Sequence, residues 1–147
     1  DGLYSSQSGF TWTPAFVTYG DNNRTQMIRT AGPGHFEDRA ISAGTNPYLA
    51  MAAYLTAGLD GIKRGLEPGE PNLGNMYERP RAEIDAAGIK LLPQSLNEAI
   101  DELRQDEVVQ SALGPIAGEF IAMKANEWAE YDGQVSRWEI DQYLTSF

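Results

Sequence analysis

The sequence predicts an α+β fold, in which antiparallel strands are followed by a helical C-terminal part. Residues 10–45 are rich in Thr, Phe, Val, Ile and Tyr and are interrupted by Gly and Pro, which is typical of short strands. From residue 46 onward, apolar residues recur at helical spacing and follow recognisable helix-start signals. We therefore expect residues 1–45 to be mainly strands and loops, and residues 46–147 to be mainly helices.

Three short strands are predicted before residue 45. The first covers residues 16–19 and ends at a turn over residues 20–22, where Gly, Asp and Asn follow one another. The second strand covers residues 25–30. A tight Ala-Gly-Pro-Gly connection over residues 31–34 leads into the third strand, over residues 35–41.

The alternation of side chains along a strand predicts which residues share a face. On the third strand, His35, Glu37 and Arg39 would lie on one face, with neighbours roughly 7 Å apart. Arg24 and Arg29 are separated by an odd number of residues, so a regular strand would point them to opposite faces. Either Arg24 lies in the turn before its strand, or a bulge re-aims one of the two arginines.

A long helix is predicted to begin after residue 45. Asn46 is a suitable N-cap, Pro47 fits the first helical position, and an apolar stripe with small residues on its other side predicts a buried helix. Residues 67–80 contain three prolines and predict a long irregular loop. Further helices are predicted to start at Ser95, Asp106, Pro115 and Ser136.

The composition indicates one soluble domain. With 41% hydrophobic and 22% charged residues, the chain has an ordinary globular composition. Its formal charge of −10 argues against a nucleic-acid partner, because no basic stripe replaces phosphate counterions. There are no cysteines, which fits a reducing cytoplasm, and neither a membrane-spanning segment nor a signal peptide is visible.

The residues with the richest chemistry lie between positions 22 and 49. Arg24, Arg29 and Arg39 occur here with His35 and Glu37. Arginine is suited to two-pronged recognition of phosphate and carboxylate, and a carboxylate among several arginines suggests a divalent metal. This set of residues indicates nucleotide phosphoryl chemistry.

The order of these motifs resembles the C-terminal third of a glutamine synthetase. The resemblance extends from about Trp12 nearly to the end of the chain, and its motifs are specific through their order and spacing. We expect residues 1–147 to be a C-terminal fragment of such a catalytic domain, inactive by itself. The motifs are Asn23-Arg24-Thr25 with Ile28-Arg29, Phe36-Glu37-Asp38-Arg39, Asn46-Pro47-Tyr48-Leu49-Ala50, Ala57-Gly58-Leu59-Asp60-Gly61-Ile62 and Leu92-Pro93-Gln94-Ser95-Leu96.

The resemblance implies an ATP-dependent ligase that forms γ-glutamyl phosphate and lets an amine displace the phosphate. Arg24 would contact the transferred phosphate and the glutamate, as a catalytic group. Arg29 would bind the ATP phosphates, Glu37 would hold the Mg²⁺ (or Mn²⁺) ion bound to ATP, and Arg39 would clamp the glutamate or its phosphate. Positioned positive charge of this kind is what phosphoryl transfer needs.

Two departures from the family pattern bear on specificity. His35 stands where the ordinary enzyme has an arginine, and we expect it to contact the nucleotide or to be a packed histidine. Trp12 stands where the ordinary enzyme has a glutamate that binds ammonium and takes its proton. Because tryptophan is not a base but offers a cation–π surface, Trp12 favours a small alkylammonium, or it only fills space between subunits.

The resemblance therefore predicts a γ-glutamylmethylamide synthetase-like ligase acting on L-glutamate, ATP and methylamine. The alternatives are an ordinary glutamine synthetase that uses ammonia, and a non-catalytic homologue with a structural or regulatory role. The family implies a homo-oligomer of stacked rings with shared active sites. Tyr77 falls where many bacterial glutamine synthetases carry a tyrosine that becomes adenylylated, but the surrounding residues differ.

Overall fold

The computed structural model describes residues 12–144, which divide into two compact units at the bond between Gln94 and Ser95. The first unit holds a small three-stranded sheet and two helices, and the second is entirely helical. The predicted mixture of strands followed by helices is confirmed. The change from strands to helices after residue 45 falls inside the first unit.

The sheet consists of β1 (Tyr19–Asp21), β2 (Ile28–Gly32) and β3 (His35–Asp38), in that order. Strands β2 and β3 pair antiparallel, as predicted, and are joined by the two-residue turn Pro33-Gly34. Gly34 has a φ of 76°, a conformation that glycine adopts without steric cost. The short turn places β2 and β3 side by side, so that Arg29 lies opposite Glu37.

The prediction for the first strand was wrong in position and in direction. Gly20 and Asp21, expected in a turn, lie in β1, and β1 pairs with β2 parallel instead of antiparallel. The loop over residues 22–27 carries the chain back to the start of β1, so that Tyr19 lies beside Ile28. Phe16, expected in this strand, instead bridges antiparallel to Leu91.

A small apolar core supports the sheet from within the first unit. Ala15, Phe16, Met76 and Ile84 are each at most 3% exposed. Ile84 belongs to α2 (Arg81–Ala86), a short helix that the sequence analysis missed. Because Met76 lies in the long irregular loop, the core also fixes the middle of that loop.

Helix α1 (Pro47–Arg64) has the predicted start, since the Asn46 side chain accepts hydrogen bonds from the backbone of its first turn. The helix ends at Gly65, which has a φ of 60°. The expectation of a buried helix is not met, because none of its residues is buried. Much of its apolar stripe is open within residues 12–144, since Leu55 and Leu59 are each more than half exposed.

The second unit contains four α-helices, and the predicted starts at Ser95, Asp106 and Ser136 are confirmed. Ile100, Leu113 and Ala117 are its buried apolar residues. Trp138 is 63% exposed and packs edge-on against Tyr143. The elements are α3 (Leu96–Gln105), α4 (Glu107–Leu113), a 3-10 turn (Gly114–Ile116), α5 (Ala117–Asp132) and α6 (Arg137–Tyr143).

Candidate active site

Two arginines hold the carboxylate of Glu37. Arg29 and Glu37 are directly opposite in the antiparallel β2–β3 pair, and Arg29 Nη1 donates to Glu37 Oε2 at 2.9 Å. Arg39 Nη1 donates to the other oxygen, Oε1, at 3.2 Å. The two guanidinium side chains are mostly covered, whereas the Glu37 side chain is 43% exposed. The carboxylate is thus oriented from two sides and still open to a ligand.

The same contacts set the ionisation of Glu37. The hydrogen bond from Arg29, helped by that from Arg39 and by the charges of both arginines, holds the pKa of Glu37 below its usual range. The group is therefore an anion at neutral pH. An ionised carboxylate with free lone pairs is the form that a hard divalent cation binds.

Arg29 is oriented by a second residue that the sequence analysis did not identify. The Asn22 side-chain oxygen accepts from Arg29 Nε at 3.1 Å and also from Nη2. With Glu37 on Nη1, three of the five N–H groups of Arg29 are used. Two N–H groups remain for an anion, and the planar fork is fixed in direction. The only sequence signal for Asn22 was its place in a Gly-Asp-Asn-Asn turn.

Arg39 links three parts of the site in this structure. Besides Glu37, its guanidinium donates to two backbone carbonyls, those of Arg24 at 3.2 Å and Trp12 at 2.9 Å. Arg39 lies one residue beyond β3, and its backbone N–H donates to the Met27 carbonyl at 2.9 Å. Arg39 therefore positions both the turn that carries Arg24 and the segment that carries Trp12.

Arg24 lies in the turn before β2, which is the first of the two predicted arrangements. Its side chain is exposed, and no ion pair within residues 12–144 engages it. Asn23 stabilises the turn, since its side-chain oxygen accepts from the Thr25 backbone at 3.0 Å and its amide donates to the Gly74 carbonyl. The Arg24 guanidinium is thus held on a fixed turn and open to an anion.

These residues share one cavity. Trp12, Asn22, Asn23, Arg24 and Arg29 line a volume of ≈ 460 Å³. Two arginines and a partly exposed tryptophan line this cavity, so it suits an anion bound beside a small apolar or cationic group.

His35 does not join this cluster. It lies in a different cavity of ≈ 680 Å³, together with Phe36, Tyr19 and Tyr54. His35 pairs with Gly32 beyond a register shift in the β2–β3 pair, whereas Glu37 pairs with Arg29 before that shift, so the residues that face His35 and Glu37 across the pair differ. The described structure therefore brings together five of the six predicted site residues and separates the sixth.

Within residues 12–144, no group of three or more His, Asp and Glu side chains could hold a metal ion. Glu37 suits one position in the coordination sphere of Mg²⁺, because its carboxylate is ionised and exposed. Mg²⁺ prefers octahedral oxygen ligands and commonly takes several of them from substrate phosphates and water. The Glu37 carboxylate therefore fits a metal ion that takes its other oxygen ligands from outside residues 12–144.

Comparison with known proteins gives the class to which this fold and site belong. The family model for the glutamine synthetase catalytic domain matches residues 7–143. The chain belongs to this family, and the resemblance stated from its motifs is confirmed.

Curated relatives include both kinds of ligase that the motifs suggested. The chain is 51% identical over 142 residues to a "Glutamate--methylamine ligase" of Methyloversatilis universalis, with 97% of the chain and 32% of the relative covered. It is 41% identical over 139 residues to a "Glutamine synthetase" of Staphylococcus aureus, with 91% of the chain and 31% of the relative covered. The chain spans about a third of the length of these relatives.

Solved structures agree with the fold. A GmaS/ADP complex superposes with a TM-score of 0.84 at 41% identity, covering 93% of this chain and 31% of that one. Apo GmaS without ligand gives a TM-score of 0.80 at 38% identity, with coverage of 92% and 31%. None of the helices described within residues 12–144 combines the length and the apolar character of a membrane-spanning helix.

Proposed function

We propose that the whole protein is an ATP-dependent ligase that joins L-glutamate and methylamine through γ-glutamyl phosphate. The observation that carries the proposal is the cavity shared by Trp12, Arg24 and Arg29, where a tryptophan stands at the position of the family's carboxylate and lies beside two arginines. The higher identity to a glutamate–methylamine ligase than to the staphylococcal glutamine synthetase supports it.

The first chemical step is phosphoryl transfer. A γ-carboxylate oxygen of glutamate attacks the γ-phosphorus of ATP, the bond to the β-phosphate oxygen breaks, and ADP leaves. Arg29, with two N–H groups still available, binds the nucleotide phosphates, and Arg24 contacts the phosphoryl group in transfer. Phosphoryl transfer depends on positive charge held in a fixed position. Because Asn22 already orients Arg29 before the substrate binds, this contact favours catalysis.

Glu37 contributes to the same step through a metal. Its carboxylate would hold the Mg²⁺ (or Mn²⁺) ion bound to ATP, which neutralises phosphate charge when present. The rest of the coordination sphere would come from phosphate oxygens, water and the remainder of the whole protein. The contacts from Arg29 and Arg39 keep the Glu37 carboxylate ionised and oriented for this role.

Arg39 and His35 have the remaining proposed substrate contacts. Arg39 would clamp the glutamate, exchanging a backbone carbonyl partner for a substrate carboxylate, which is a stronger acceptor. His35 lines a cavity with aromatic side chains, a setting that suits a nucleoside better than a phosphate. We therefore keep His35 as a nucleotide contact, away from the transferred phosphate.

The second step is attack by the amine. The neutral amine nitrogen attacks the acyl carbon of γ-glutamyl phosphate, the bond from that carbon to the phosphate oxygen breaks, and inorganic phosphate leaves. The nitrogen loses a proton to the departing phosphate, which leaves as hydrogen phosphate, and the amide is formed. Trp12 cannot accept this proton, but its ring offers the methyl group an apolar face and methylammonium a cation–π contact. Ammonium, which is more strongly hydrated, gains less from such a surface.

A second candidate is an ordinary glutamine synthetase that uses ammonia, favoured by the 41% identity to the staphylococcal enzyme. A non-catalytic homologue is disfavoured by the intact Arg29–Glu37–Arg39 cluster. We further propose that the protein is cytoplasmic, because the reaction consumes ATP and glutamate. We also propose a homo-oligomer of stacked rings, because the family shares active sites between subunits.

Phosphate release by the full-length protein tests the proposal. The assay contains ATP, Mg²⁺ and glutamate, and compares ammonium, methylamine and ethylamine. Faster turnover with methylamine supports the methylamine ligase. A preference for ammonium would make the protein an ordinary glutamine synthetase, and no turnover with any amine would leave the structural homologue.

A further inference from the structure

The hydroxyl of Tyr77 donates a hydrogen bond to the backbone carbonyl of Thr13, 64 residues away in sequence. The neighbouring carbonyl, that of Trp12, accepts from Arg39 Nη2 at 2.9 Å. Two consecutive peptide units are thus held by two side chains from different parts of the first unit. One of these side chains belongs to the arginine cluster, and the other belongs to the long loop after α1.

Hydrogen bonds hold the backbone of Tyr77 and of the residue before it in place. Its backbone N–H donates to the Asn75 side chain at 3.0 Å, which shapes the turn around it. The preceding residue, Met76, is 3% exposed, and its N–H donates to the Thr25 hydroxyl at 3.1 Å. Thr25 follows Arg24 in the turn before β2, so the Tyr77 hydroxyl and the Arg24 turn share one framework.

The backbone of Trp12 needs such support. Its φ of 58° is in the left-handed region, which is uncommon for a residue with a bulky side chain. A strained backbone conformation persists only where the surrounding structure holds it in place. On the C-terminal side of Trp12, the chain is anchored by Ala15 and Phe16, which are each 2% exposed. The hydrogen bonds from Arg39 and Tyr77 hold the carbonyl groups of Trp12 and Thr13 themselves.

We propose that Tyr77 is a positioning residue for amine selection, acting through the segment that carries Trp12. The inference rests on the proposed function, because it assigns the amine pocket to Trp12. By holding the Thr13 carbonyl, the Tyr77 hydroxyl sets the direction in which the indole faces the cavity beside Arg24. Loss of the hydroxyl loosens the indole without removing any group that touches ATP or glutamate.

The test is Tyr77→Phe in the full-length enzyme, which deletes one oxygen atom and keeps the ring. The kcat/KM for methylamine relative to ammonium is expected to fall about three- to tenfold, as for the loss of one hydrogen bond. The KM for ATP is expected to stay unchanged. Hydrogen–deuterium exchange of residues 12–16 is expected to become faster, which reports the tie independently of activity.

Tyr131→Phe is the matched control, since Tyr131 lies on α5, is 69% exposed and packs its ring against that of Trp128. It should change neither readout. Faster exchange in Tyr77→Phe with an unchanged amine ratio would overturn the role in selection. Unchanged exchange would overturn the tie itself. A wild-type enzyme that does not use methylamine would instead defeat the proposed function, while the exchange experiment still decides the tie.

Discussion

Arg29 and Glu37 face each other across the β2–β3 pair and are joined by a hydrogen-bonded ion pair of 2.9 Å. The sheet register therefore fixes the distance between the group proposed to bind phosphate and the group proposed to bind the metal ion. Because Arg39 engages the second oxygen, the carboxylate cannot rotate freely, and its outward lone pairs have a set direction. This geometry makes the contribution of each residue separately testable.

Glu37→Gln should lower the affinity of the enzyme for Mg²⁺ more than it lowers the stability of the fold. Since changes around metal ligands lower metal affinity by about 10- to 100-fold, a change in the ligand itself should cost at least as much. The measurement is a Mg²⁺ titration of phosphate release by the full-length enzyme. Glu102→Gln, at an exposed position of α3, is the control and should titrate like wild type. An unchanged Mg²⁺ requirement in Glu37→Gln would remove Glu37 from the metal site.

Arg29→Lys keeps the charge but loses the fork that joins Asn22 and Glu37. We expect kcat/KM for ATP to fall by about 100-fold or more, as when a preorganised donor to transition-state charge is lost. Arg104→Lys, in an exposed ion pair with Asp101, is the matched control and should be near neutral. Near-normal ATP use by Arg29→Lys would show that only its charge matters.

Asn22 combines a backbone role and a side-chain role, which two substitutions separate. Its φ of 39° favours Asn or Gly, so Asn22→Ala should lower the free energy of unfolding by roughly 1–2 kcal/mol compared with Asn22→Gly. Both variants lose the oxygen that orients Arg29, so both should raise the KM for ATP about tenfold. A normal KM in Asn22→Gly would mean that Glu37 alone orients the arginine.

The proximity of the candidate site residues could be predicted from the sequence better than their geometry. Arg24, Arg29, Glu37 and Arg39 were identified by residue type and motif order, and the structure brings them together. Asn22 was missed because its contact with Arg29 depends on the path of the loop between β1 and β2. The parallel pairing of β1 has the same origin, since side-chain periodicity does not encode strand direction.

The helices were predicted more accurately because their signals are local. Asn46, Ser95 and Ser136 each cap the helix that their sequence context indicated. His35 shows the limit of local reasoning, because the cavity that it lines is formed with residues distant in sequence, such as Tyr19 and Tyr54. The exposure of α1 could not be predicted from its apolar stripe either, since such a stripe is buried only where another surface packs against it.

Gly20→Ala should destabilise the first unit. A Cβ atom at Gly20 would press into the Asn72 carbonyl oxygen and would lie 3.4 Å from Gln26 Cγ. Because the obstacle is backbone, relief requires β1 or the loop to move, at a cost of about 1–3 kcal/mol in unfolding free energy. Gly118→Ala in α5 has open space around the added atom and should be neutral or slightly stabilising. Denaturant unfolding compares the two, and equal midpoints would contradict the close approach.

Glu139 gives a pH dependence that can be observed at one amide. The Ser136 N–H donates to Glu139 Oε2 at 2.7 Å, and the Ser136 hydroxyl accepts from the Glu139 N–H, which completes a capping box. The backbone hydrogen bond from Ser136, helped by its side chain, holds the pKa of Glu139 below its usual range.

A lowered folded-state pKa means that the unfolded chain binds the proton more readily. The contribution of this carboxylate to stability is therefore fully present above about pH 4.3 and is lost as the pH falls through the lowered pKa. In ¹⁵N-serine-labelled protein, the Ser136 amide shift should titrate with a midpoint below that value, and Glu139→Gln should abolish the titration. A midpoint at or above about pH 4.3 would show that the capping box does not favour the charged form.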